Sequence, residues 1–169
     1  VFIVALPILV KTIYRGDVEL FSFLQGLFTV GMLLSALIII YRKKLEGPGR
    51  RMIFSILYSG LILLGLSAGP TVTGLLFLVF LWGVVVGISA TLGRSILQSS
   101  TDPEYMGRVI SIYQLTLFGF APLGAICAGI AISSLGVLMV LKISAIMSFI
   151  AFTGTFFIRS LWDVEVTDA

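Results

Sequence analysis

Six apolar stretches, helix-breaking residues between them and charges confined almost wholly to the connections predict an all-α integral membrane protein. The stretches are 1–10, 20–41, 52–68, 72–97, 109–132 and 137–158. Composition points the same way: of 169 residues, 59% are hydrophobic and only 11% are Asp, Glu, Lys or Arg. A soluble domain is about 45–50% apolar and about 25% charged, so this chain has too little polar surface to cover a water-exposed globule. A soluble enzyme is excluded. A spanning helix takes about 20 residues, so the spans fill the chain and leave no room for a separate soluble domain.

The first stretch, 1–10, has no initiating Met, basic n-region or small-residue cleavage site, and does not read as a signal peptide. It is the second half of a truncated span or a short re-entrant segment. The second, 20–41, would rise about 33 Å as a helix, enough to cross a hydrocarbon core of about 30 Å. Gly47-Pro48-Gly49 ends it, and Gly69-Pro70 separates 52–68 from 72–97. In Thr101-Asp102-Pro103-Glu104, Asp102 suits the cap of a helical turn with Pro103 at its first position. Ser133-Ser134-Leu135-Gly136 separates 109–132 from 137–158, and 159–169 is a short tail. The apolar-polar alternation of a β-barrel is absent, so the spans are helices.

Six alternating spans put 42–51, 99–108 and the tail on one side. Eight of the 11 basic residues lie at or near it: Arg42, Lys43, Lys44, Arg50, Arg51, Arg94, Arg108 and Arg159. Lys11 and Arg15 lie opposite, and Lys142 falls inside a span. The positive-inside rule makes the basic side and the C-terminus cytoplasmic. The net charge of +3 is thereby read as membrane topology rather than nucleic-acid binding.

Histidine is absent and Cys127 is the one cysteine, which removes intrachain disulfides, Cys-His zinc sites and His-dependent nucleophilic catalysis. No cofactor or metal is expected, and Cys127 reads as a small packing residue. Other positions invite a role. Gly83 and Gly87 form a GxxxG, and Gly124 with Ala128 and Ala125 with Gly129 repeat the four-residue spacing that lets helix backbones approach. Pro122, three residues after Gly119, removes a backbone hydrogen bond in mid-span and marks a fixed kink or a bending point. Lys142 is either functional or snorkels to the interface.

Two segments carry a family resemblance. Glu46-Gly47-Pro48-Gly49-Arg50-Arg51 resembles the Asp-Arg-x-Gly-Arg-Arg core of the cytoplasmic loop motif of the major facilitator superfamily, in its copy between spans eight and nine. Glu46 stands for the Asp, Gly47 for the first Arg and Arg42 for the leading Gly. Pro103-Glu104-Tyr105-Met106-Gly107-Arg108-Val109-Ile110-Ser111 resembles the Pro-Asp/Glu-x-x-Gly-Arg-Val-x-Ser segment before span eleven of the exporters in this superfamily. The resemblance is nearest to the branch of enterobactin and macrolide exporters, and Pro122-Leu123-Gly124-Ala125 with Ala128-Gly129 is similar to that branch's eleventh span.

The resemblance implies a C-terminal six-helix half, 1–158, of a twelve-span carrier whose first half precedes Val1. It implies proton-coupled efflux of an amphipathic small molecule, a drug or siderophore, across the bacterial inner membrane by alternating access. The first, second, fourth and fifth spans would line the cavity, with Gln25, Thr29, Gln114 and Thr116 as polar contacts for substrate or for neighbouring helices. Glu46, Gly49, Arg50, Arg51, Pro103, Gly107 and Arg108 would form cytoplasmic gate motifs. The partners implied are the lipid bilayer, the missing half, the substrate and protons, with no nucleic acid. All eight acids, Asp17, Glu19, Glu46, Asp102, Glu104, Asp163, Glu165 and Asp168, lie in loops or the tail, so a coupling carboxylate is expected in the other half. Two competing readings remain at this stage: the permease subunit of an ATP-driven transporter, with 99–108 as its docking loop, and a non-transporting structural membrane protein.

Overall fold

The structure, a computed structural model, describes residues 2–41 and 47–157, apart from the side chains of Phe2 and Phe157. Glu46, Arg42 and the tail 159–169 lie outside the described residues. Six helices follow one another: α1 (Phe2–Thr12), α2 (Val18–Tyr41), α3 (Pro48–Ser67), α4 (Val72–Ser99), α5 (Met106–Leu135) and α6 (Val137–Phe157). Five are long and apolar enough to cross a membrane, whereas α1, with 11 residues, rises only about 16 Å.

Several helices extend past their apolar cores, for local reasons. α3 begins at Pro48 because Gly47 takes a left-handed φ of 62° and proline then supplies the fixed φ of a first helical position. Arg50 and Arg51, read from sequence as loop, therefore sit in its first turn. α5 absorbs Ser133 and Ser134, whose hydroxyls donate to the Ile130 carbonyl at 2.8 and 3.0 Å and so need no water or outside partner. Gly136 alone, at φ 82°, separates α5 from α6. Between α4 and α5 the chain makes a hydrogen-bonded turn, Tyr105 N–H donating to the Asp102 carbonyl at 3.0 Å. Asp102 contributes its backbone there, and the N-cap of α5 is Tyr105, with no side-chain cap bond.

α4 is the hub. It packs along α2 on one flank and against α3 on another, while α3 also packs on α6, and α5 leans on α6 and α1. Lipid supplies no hydrophobic drive for helix association, so close backbone contact must supply dispersion instead. The α2–α4 seam achieves this with three glycines. A Cβ on Gly83 would overlap the Phe28 carbonyl, one on Gly87 would overlap Ser35 and the Met32 backbone, and one on Gly31 would crowd Phe80 and Val84. Above this seam Trp82 meets Phe28 edge-on, with centroids 6.3 Å apart. The α3–α4 contact is tied by Ser55 and Ser89, whose oxygens lie 2.5 Å apart. Ser55 donates to the Met52 carbonyl at 2.6 Å, leaving Ser89 as the donor in the pair.

The buried core is not central along the membrane normal. It joins Leu6, Leu9 and Val10 of α1 to Leu66, Leu75, Val79 and Leu141, residues at the end away from the basic connections. Tyr14 locks that end, its hydroxyl donating to the Pro70 carbonyl at 2.5 Å. Burial pushes the Tyr14 hydroxyl pKa above its ordinary value, so the donor form persists into alkali.

Two outcomes are expected in thermal unfolding of the purified protein in detergent. Gly83→Val should cost at least about 1–3 kcal/mol, as over-packing of a tight seam does, whereas Gly154→Ala, where an added Cβ meets nothing, should stay within about 0.5 kcal/mol of the parent. Tyr14→Phe should cost about 1 kcal/mol near neutrality. Because the folded-state pKa lies above the unfolded one, that difference is full below the ordinary tyrosine value of 10.0 and fades as pH rises through the raised folded value.

Candidate functional site

α4 and α5 hardly touch, and polar side chains of both border the space between them. It is a cleft of about 150 Å³ lined by Arg94, Leu97 and Gln98 of α4 and Ile110, Tyr113 and Gln114 of α5. The spacing explains the convergence. Arg94 and Gln98 are four apart on one face, as are Ile110 and Gln114, and Tyr113 adjoins the latter pair. Arg94 lies five residues before the end of α4; among the described residues, it and Lys142 are the charges set more than one turn inside a helix. The cleft thus offers a guanidinium, two carboxamides and a phenol between apolar walls. Such a set has the donors to hydrogen-bond an acidic or carbonyl-bearing group, and Leu97 and Ile110 supply apolar surface beside them.

Most of α5 is exposed. Before Ala128 it has no buried residue, and Leu115, Phe118 and Phe120 are 73%, 68% and 66% exposed. The helix runs unbroken across Pro122, although proline leaves the Phe118 carbonyl without its usual donor. A Cβ on Gly124 or Gly129 would meet nothing within the described residues, and one on Gly119 only the end of Leu115. These small residues are not packing against α1–α4 or α6, in contrast to Gly83 and Gly87.

The cavity candidates separate. Gln114 lines the cleft. Thr116, two residues on and about 200° round the helix, projects from the other side and donates to the Ile112 carbonyl at 2.9 Å. Gln25 and Thr29 share an exposed face of α2, and Thr29 donates back to the Gln25 carbonyl at 2.9 Å. Of the gate-motif candidates, Gly49 is buried at the start of α3 and Arg50 stacks over Phe54 at 5.7 Å. Arg51, Pro103, Gly107 and Arg108 are exposed. Pro103 belongs to the α4–α5 turn, and Gly107 and Arg108 to the first turn of α5. No group of three or more His, Cys, Asp or Glu suited to a metal occurs among the described residues. Arg94, Gln98 and Tyr113 had been passed over as site residues; the signal was present in the two four-residue polar and apolar pairings that face one another.

Labelling with a water-soluble maleimide checks the cleft. In a Cys127→Ser background of the protein in membranes, cysteines at Gln98 and Gln114 should react at least about tenfold faster than one at Met147, which sits exposed on apolar α6, because only water-facing thiols form thiolate readily.

Neither a curated protein nor a solved structure matches the chain. A family model described as Major Facilitator Superfamily matches residues 1–168. With six helices in the arrangement of half such a fold, this chain belongs to the major facilitator superfamily and is a multi-pass membrane protein of its transporter type.

Proposed function

We propose that the chain is the C-terminal half of a twelve-span, proton-coupled exporter of the bacterial inner membrane that moves an amphipathic small molecule by alternating access. The observation that carries this reading is the polar cluster of Arg94, Gln98, Tyr113 and Gln114 in a cleft between otherwise apolar helices. A highly polar cargo would meet the apolar side chains of Leu97 and Ile110, and a purely apolar one would make no use of the guanidinium, carboxamides and phenol beside them. The exporter assignment is supported by the segment from Pro103 to Ser111, and the cytoplasmic C-terminus by the basic residues of 42–51 and 99–108. The exposed face of α5 and the adjoining face of α2 are read as the surfaces that meet the other half.

Proton coupling is assigned to the other half. Asp17, Glu19, Asp102 and Glu104 are all exposed at helix ends or connections, whereas a coupling carboxylate is placed within the membrane.

Uptake of a labelled macrolide into everted vesicles carrying the full-length protein tests the cleft. Arg94→Gln and Gln114→Ala should each raise the half-saturating concentration about tenfold, the worth of one charge-assisted or buried hydrogen bond, at unchanged membrane abundance. Unaltered curves for both would overturn the assignment. Neutralising Asp17, Glu46 or Asp102 should leave proton-driven uptake intact; loss of coupling in any of them would place the proton site in this half.

A further inference from the structure

A second recess lies on a different face of α4. α2 and α3 both pack on α4 yet hardly touch one another, and the groove between them has a volume of about 420 Å³. Its walls are Ile38 and Ile39 of α2, Val85 and Ile88 of α4 and Phe54 of α3, with Arg51 at one end. That volume lies within the range of about 300–1,000 Å³ for small-molecule sites. A single turn of helix, about 10 Å across and 5.4 Å tall, would fill it entirely, so a flexible chain suits it better than another helix.

The serine hydroxyls at the groove make no demand on an occupant. Ser35 donates to the Met32 carbonyl at 2.8 Å, Ser55 donates to that of Met52 at 2.6 Å, and Ser89 is bonded to Ser55. Chemically the shaft is apolar apart from the exposed phenol of Tyr58. Its one charged lining group, Arg51, is exposed in the first turn of α3, the level at which a spanning helix meets lipid headgroups. Residues 42–51 carry five basic side chains, Arg42, Lys43, Lys44, Arg50 and Arg51, against the single acid Glu46. An apolar shaft ending in a guanidinium within a basic segment matches one kind of molecule: an acyl chain attached to a phosphate with net negative charge.

We propose that the groove between α2 and α3 is a binding site for an anionic phospholipid, with one acyl chain along Ile39, Val85 and Ile88 and its phosphate on Arg51. The site is separate from the α4–α5 cleft and does not depend on what the protein transports. By filling the gap between two helices that share only α4 as support, the lipid stabilises the arrangement of α2 and α3 and makes it sensitive to headgroup charge.

Native mass spectrometry of the full-length protein in detergent, titrated with phosphatidylglycerol or phosphatidylcholine of the same acyl chains, tests this. The parent should retain the anionic lipid about fivefold better than the zwitterionic one, the worth of one basic contact at the interface. Arg51→Gln should abolish that preference and Arg51→Lys should keep most of it, while Ile88→Phe, which fills the shaft, should reduce both adducts about equally. Equal retention of the two lipids by the parent, an undiminished preference in Arg51→Gln, or unchanged adducts in Ile88→Phe would each overturn the proposal, whatever the transport assays report.

Discussion

The contact on which the rest of the structure depends is the backbone approach of α2 to α4 at Gly31, Gly83 and Gly87. In water, burial of apolar surface would hold two such helices together at almost any separation that excluded solvent. In lipid that term cancels, because the alternative to a helix neighbour is an acyl chain of the same polarity. What remains is dispersion, which falls steeply with distance, so association is strong only where side chains are removed from the seam. The three glycines do this reciprocally: Gly83 receives the backbone at Phe28, Gly31 receives that at Phe80, and Gly87 receives that at Met32. α4 is thereby committed to α2 on one side and, through Ser55 and Ser89, to α3 on another.

That commitment produces both recesses. α4 closes on α2 and α3 but hardly touches α5, which leans on α1 and α6 instead. The α4–α5 cleft is the resulting gap. The α2–α3 groove follows from the same geometry, since two helices seated on separate flanks of a third diverge from each other. One recess received polar residues from both its walls and the other received aliphatic ones with a single cation at the rim.

Much of this was legible in the sequence. Hydropathy located the five long helices, since an apolar run of 17 to 26 residues leaves lipid no other structure to accept, and the ten-residue run 1–10 located α1; Gly47-Pro48-Gly49, Gly69-Pro70 and Gly136 marked the breaks through their effect on φ. Boundaries were less legible: α3 starts four residues before its apolar stretch, at Pro48 rather than Met52, because proline and glycine geometry starts a helix irrespective of hydrophobicity. Gly83 and Gly87 stood out by spacing, but Gly31 did not, because its partner one turn on is Ser35 rather than glycine. Serine serves equally in such a seam when its hydroxyl is spent on its own helix, as Ser35 does with Met32. Gly124 and Gly129 carry the same pattern without any neighbour among the described residues, which shows that spacing identifies a surface fit for close approach and not the surface that approaches it. Arg94 was hidden for a different reason. In a count of basic residues by side it looks like one more topological marker, and only its depth in α4 and the facing Gln114 distinguish it.

The uneven distribution of the core gives these sites their direction. Apolar residues are packed most densely where α1 ends and α6 begins, with Leu9, Leu66, Leu75 and Leu141 each almost wholly buried and Tyr14 tying the two connections there. Toward the basic end, α5 has no buried residue before Ala128 and α4 presents Arg94 and Gln98 to open space. A body clamped at one end and loose at the other moves most easily by changes at the loose end, where few contacts must be broken. The cleft, the basic first turns of α3 and α5, and the rim of the lipid groove all lie at that end. Charges placed there neighbour the segments whose packing costs least to rearrange, so the basic side borders the part of the molecule that can most readily shift.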